Sequence, residues 1–123
     1  MTAASLYQRL GADLGIGRVV RRFYERVFDD PHLAPFFRGH GADSRERLVR
    51  QTAEYFAVLA GGPERYTGRD MARAHRGLAL GEAEWRATGR QLAAALMEAN
   101  VAEAERAELL GLIEREKNLI LER

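Results

Sequence analysis

Met71-Ala72-Arg73-Ala74-His75-Arg76-Gly77-Leu78 places Met71, Ala74, His75 and Leu78 at i, i+3, i+4 and i+7, the spacing of one helical face. That face is apolar except for an imidazole. Burying a titratable ring gains a soluble protein little, so a histidine here either bonds a backbone carbonyl in the core or serves as a ligand. The helix by itself leaves both readings open. Immediately upstream, Asp70 stands where an N-cap belongs. Before it, Gly61-Gly62-Pro63 stops the preceding helix, and residues 63–69, with Tyr66-Thr67-Gly68, connect the two.

Outward from this segment the pattern stays helical, and no stretch alternates with period two. Ser5-Leu6-Tyr7-Gln8 reads as a capping box for a short first helix that Gly11 closes. Ile16, Val19, Val20, Phe23 and Val27 mark one face of a second helix, with Tyr24 and Phe28 beside it. Asp29-Asp30-Pro31 ends that helix, and Leu33 to Phe37 forms a turn-like piece. Asp43-x-x-Glu46 reads as a cap for a helix whose inward face is Leu48, Thr52, Tyr55, Phe56 and Leu59. A long helix is expected from Glu82 to Ala99, with Trp85, Leu92 and Leu96 inward. The last runs from Ala102 onward, with Leu109, Leu112, Ile113, Glu116 and Ile120 in phase. The reading is an all-α fold, one domain over residues 1–123.

Composition narrows the function. The 123 residues carry 19 basic and 18 acidic side chains, a formal charge of +1, with the arginines spread along the chain, so no nucleic-acid footprint is expected. Cysteine is absent, which excludes disulfides, thiolate metal sites, cysteine nucleophiles and thioether-linked haem. No apolar run approaches the ~20 residues that span a bilayer, and the N-terminal residues lack a signal-peptide pattern. A soluble cytoplasmic protein is the expectation.

Taken singly, Tyr24 is core packing or a polar handle, Phe36-Phe37 is core filler or a cofactor clamp, and Gly61-Gly62-Pro63 is a helix stop. Their order says more. Phe23-Tyr24-Glu25-Arg26-Val27, Asp30-Pro31, Leu33-Ala34-Pro35-Phe36-Phe37, Gly61-Gly62-Pro63 with Tyr66-Thr67-Gly68, then Met71 and Ala74-His75-Arg76-Gly77-Leu78 closely resemble the group I (N type) truncated haemoglobins. The resemblance runs from Ser5 to the final helix.

It implies a globin-like two-over-two helical sandwich around haem b. His75 matches the proximal iron ligand, Phe37 the ring packed on the porphyrin, and Tyr24 the distal hydrogen-bond donor. Leu48 and Thr52 match two distal positions, with Thr52 a secondary donor reaching a ligand through water. Tyr55 and Phe56 match an aromatic pair lining a gas route, and Tyr66, Met71 and Leu78 complete the haem-binding set. Thr52 departs from the glutamine often found at its position. The loop 38–47 is about three residues longer than usual. Its His40 is expected in solvent, with a sixth iron ligand or propionate partner as the sharper reading, and His32 is expected on the surface. Arg45, Arg47 and Arg73 lie where propionates would be met, with solvated surface as the plainer reading. The final helix has no histidine to cross-link haem, so attachment is expected to be non-covalent.

Haem needs apolar walls, one axial nitrogen and an open sixth position, and this set supplies each. The expected ligands are O2, NO and CO. The expected use is NO dioxygenation with a separate reductase, because no nucleotide-binding fingerprint is present. The alternatives are a non-catalytic O2 carrier, store or gas sensor, and a haem-free relic. A monomer or weak homo-oligomer is expected.

Overall fold

The computed structural model describes residues 4–63 and 81–117, and among these all regular structure is helical. The expectations for Tyr66, Asp70, Met71, His75, Leu78 and Ile120 fall outside the described residues.

Helix α1 (Leu6–Arg9) opens on the expected capping box. The Gln8 N–H donates to Ser5 Oγ at 3.2 Å and the Ser5 N–H to Gln8 Oε1 at 3.1 Å. The chain then reverses at Gly11, with φ +95°, into α2 (Ala12–Asp29). The reversal brings the Leu10 carbonyl onto the second helix so closely that a Cβ at Gly15 would lie 2.0 Å from it. Only glycine fits there.

Ile16, Val19, Val20, Phe23, Tyr24 and Val27 bury one face of α2. The helix ends as expected at Asp30, which is extended before Pro31. Asp30 then organises the turn. Its Oδ1 accepts from the His32 N–H at 2.8 Å, its Oδ2 from Gln91 Nε2 at 2.7 Å, and its carbonyl from Leu33 and Ala34. Gln91 in turn accepts from Arg26 Nε at 2.8 Å, so α2 and the later helix are bridged through one carboxylate. A 3-10 turn, Ala34–Phe37, follows.

Helix α3 (Ala42–Leu59) is capped at Gly41, two residues before the expected Asp43 cap. Asp43 lies in the first turn instead, where its charge suits the positive helix end. Glu46 does not close a capping box, because both its oxygens take the Arg21 guanidinium, at 2.6 and 3.0 Å. Gly61, at φ +86°, ends α3 in a Schellman turn, with Gly62 N–H on Ala57 O and Gly61 N–H on Val58 O. Helix α4 spans Glu82–Glu98 and ends the same way at Asn100. Helix α5 spans Glu103–Glu114.

Four helices close a ring: α2 packs on α3, α3 on α5, α5 on α4, and α4 on α2, in two layers of two. Val20, Leu96 and Leu109 come from three of these helices and are the largest fully buried side chains among the described residues. Burial of each is worth about 1.5–3 kcal/mol. Trp85 is half-buried rather than fully inward, because its Nε1 donates to Glu114 at the edge of α5 at 2.9 Å.

Two outcomes test these joints. Gly15→Ala should destabilise the protein by about 2–3 kcal/mol, since backbone rather than a side chain must move. Gly17→Ala, with open space around it, should be neutral or stabilising in the same urea titration. The second concerns Asp30. The Gln91 amide holds its carboxyl below the usual carboxylate range; burial opposes this and the His32 N–H adds to it. A lowered pKa gives stability that is present above the unfolded value of about 3.9 and lost as pH falls through the folded value. Asp30→Asn should therefore lower the urea midpoint at pH 6, with the difference shrinking as the pH falls below the unfolded value and vanishing only below the lowered folded one.

Candidate functional site

Helix α3 presents two stripes. Val49, Phe56 and Ala60 are buried against protein, whereas Leu48, Thr52, Tyr55 and Leu59, about 90° around the helix, are only half-covered. The second stripe is apolar and aromatic except for the hydroxyls of Thr52 and Tyr55. The Thr52 hydroxyl meets Tyr24. Tyr24 OH and Thr52 Oγ1 lie 2.8 Å apart, and either oxygen has the geometry to donate. Tyr24 is 8% exposed, so the phenol is a core residue with its polar tip at the edge of the open stripe.

Aromatic rings fix the phenol from the sides. Phe28, one helical turn after Tyr24, stacks on it at 5.7 Å and 28°. Phe37, delivered by the 3-10 turn, meets Tyr24 edge-on at 6.1 Å and Phe28 at 5.5 Å. Phe23 packs behind at 5.0 Å. Tyr55 and Phe56 are neighbours at 6.3 Å but straddle the stripes, Tyr55 on the half-covered one and Phe56 in the core.

Residues 40–46 close one end of this cluster. His40, expected in solvent, is half-buried, with its ring 5.9 Å from Phe37 and Nδ1 2.6 Å from Ser44 Oγ. The first turn of α3 provides that hydroxyl, which holds the ring against Phe37. Arg45 lies over Phe28, its guanidinium 4.3 Å from the ring centroid. His32 is exposed, as expected. Thr52 bonds Tyr24 directly, where α2 and α3 pack together. The sequence places Phe28 beside Tyr24 on α2 but not in the site, although its i+4 spacing from Tyr24 is the available signal.

Phe37, Leu48 and Tyr55 give apolar and aromatic walls beside one buried hydroxyl pair, the chemistry a large flat apolar cofactor with a polar ligand requires. The proposed axial donor, His75, lies outside the described residues, with Tyr66, Met71 and Leu78. The wall and donor set fit haem.

Known proteins agree on the class. Residues 5–121 match the bacterial-like globin family. A group 1 truncated hemoglobin of Mycolicibacterium paratuberculosis is 36% identical over 110 residues, 89% of this chain and 79% of the relative. One from Tetrahymena pyriformis is 30% identical over 117 residues, 95% of this chain and 94% of the relative. The crystal structure of the Tetrahymena pyriformis truncated hemoglobin in its Fe(III) form superposes with a TM-score of 0.89 at 29% identity, covering 98% of this chain and all of the other (100%). A Synechococcus 2/2 hemoglobin with covalently attached heme superposes at 0.88 with 25% identity, covering 98% of this chain and 100% of that one. The chain belongs to the bacterial-like globins, and within them to the group I truncated haemoglobins, with the two-over-two helical fold. It is a haem globin that binds gaseous ligands. Among the described residues no helix is long and apolar enough to cross a membrane.

A double-mutant cycle checks the central contact. Thr52→Val and Tyr24→Phe should each destabilise the protein, and their coupling energy should be about 0.5–1.5 kcal/mol by urea unfolding. A coupling near zero would mean that the two hydroxyls do not share a bond.

Proposed function

We propose that this chain binds haem b non-covalently, holds O2, NO and CO reversibly, and serves chiefly in NO dioxygenation. The observation that carries the reading is the Tyr24–Thr52 hydroxyl pair, set in an apolar wall beside Phe37. On this reading His75 is the iron ligand, Phe37, Leu48, Tyr55, Tyr66, Met71 and Leu78 hold the porphyrin, and Phe56 backs that wall from the core. When bound, haem supplies one-electron iron chemistry: ferrous iron, O2 and NO give nitrate and ferric iron, and a separate reductase returns the electron.

The chain's own residues do the rest. Tyr24 turns its O–H toward a ligand that has gained negative charge, a charge-assisted bond worth about 1.5–3 kcal/mol. Thr52 holds the phenol oxygen from the α3 side and is the secondary distal group. Leu48 and Tyr55 exclude water. No histidine follows His75 in the sequence, which supports non-covalent attachment. Residues 1–123 act as one truncated-globin domain in the cytoplasm, as a monomer or weak homo-oligomer.

Spectra and turnover test the reading together. The haem-reconstituted protein should give a five-coordinate ferrous form and a stable oxy form. His75→Gly should make the axial ligation respond to added imidazole. Tyr24→Phe should speed O2 release by about 10- to 100-fold. With a reductase and excess NO, nitrate should exceed one per haem; a yield that stops at one would favour a carrier, store or sensor over an enzyme.

A further inference from the structure

Phe28 stands between a cation and a phenol. Its ring stacks on Tyr24 at 5.7 Å, and the Arg45 guanidinium lies 4.3 Å from its centroid. Phe28 and Tyr24 share α2, so helical spacing alone brings their rings together. Arg45 arrives from α3, across the loop that carries His40. Next to it, Glu46 takes both terminal nitrogens of Arg21, so this end of α3 is fixed on α2 by adjacent residues. Phe28 is only half-buried, in contrast to the buried Phe23 behind the phenol, and its position depends more on what lies against it. A planar guanidinium suits that place better than a point charge, because it can lie against an aromatic face.

We infer that Arg45 is a positioning residue for Tyr24. By holding Phe28 against the phenol it fixes the direction of the Tyr24 hydroxyl, and so sets how long the pocket keeps a polar ligand. The inference rests on the proposed role of Tyr24 as the donor to that ligand. It replaces the sequence-based expectation of a propionate partner at this position with a partner inside the distal wall.

The test uses the haem-loaded protein with Arg45→Gln, Arg45→Lys, Tyr24→Phe and the Arg45→Gln/Tyr24→Phe pair. Three quantities are read: the O2 dissociation rate, the Fe–CO stretching frequency, and the rate of haem loss to an acceptor protein. Arg45→Gln should speed O2 release about two- to fivefold, the scale of an exposed cation–aromatic contact. It should also move the Fe–CO band toward that of Tyr24→Phe. Arg45→Lys should restore part of both effects, and Arg45→Gln should have no effect in the Tyr24→Phe background. If Tyr24→Phe changes both optical readouts and Arg45→Gln changes neither, the inference fails while the donor reading stands. Faster haem loss with O2 release and Fe–CO frequency unchanged would make Arg45 a propionate partner and overturn it. If Tyr24→Phe changes nothing, the donor reading falls and this inference with it.

Discussion

One helix has to satisfy two neighbours at once. The buried face of α2 receives α3 on one side and α4 on the other, and Val20 and Val27 sit within that double contact. Tyr24 belongs to the same buried face, at the margin where α3 leaves the core. Its phenol therefore inherits its position from core packing rather than from a loop. A rotation of α2 that moved the hydroxyl away from Thr52 would also lift Phe23 or Val27 out of the core, at about 1.5–3 kcal/mol for each side chain exposed.

The same constraint explains the joint after α2. Asp30 stops the helix before Pro31, and its two carboxylate oxygens hold the His32 N–H and the Gln91 amide. The turn that follows sends Ala34–Phe37 back along α2, which is how Phe37 reaches Tyr24 and Phe28. Exposed ion pairs such as Arg21–Glu46 contribute little energy singly. Their value is geometric, since each ties the start or the end of a helix to a partner already fixed by apolar packing.

Much of this was legible in the sequence. Helix periods, the Ser5 capping box, and the stops at Asp30-Pro31 and Gly61-Gly62 are local, and local chemistry decided them. The wall of Leu48, Thr52 and Tyr55 followed from spacing on one helix. What could not be read was pairing at a distance. Asp30 meets Gln91 across 61 positions and Tyr24 meets Thr52 across 28. Asp43 and Glu46 fit a local capping rule, yet Arg21 holds Glu46, and no pattern within α3 announces that. Arg45 reads in the sequence as a surface charge, whereas the structure sets its guanidinium over the Phe28 ring. His40 was read from its glycine neighbours, and a serine one turn into the next helix gives it a partner instead.

The hydroxyl pair also bears on how the proposed pocket would discriminate. A phenol has one proton. Either hydroxyl can donate in the Tyr24–Thr52 pair, and where Tyr24 does, its proton is already engaged before a ligand arrives. The phenol then has to exchange a neutral bond for one to the ligand. Neutral bonds contribute about 1 kcal/mol and charge-assisted ones about 1.5–3 kcal/mol, so a ligand that gains negative charge on binding wins the proton and an uncharged one does not. Thr52 in this arrangement sets a threshold that a second strong donor, such as glutamine, would lower. If Tyr24 is the donor proposed above, the departure at position 52 favours selective retention of polar ligands over uniformly tight retention of all of them.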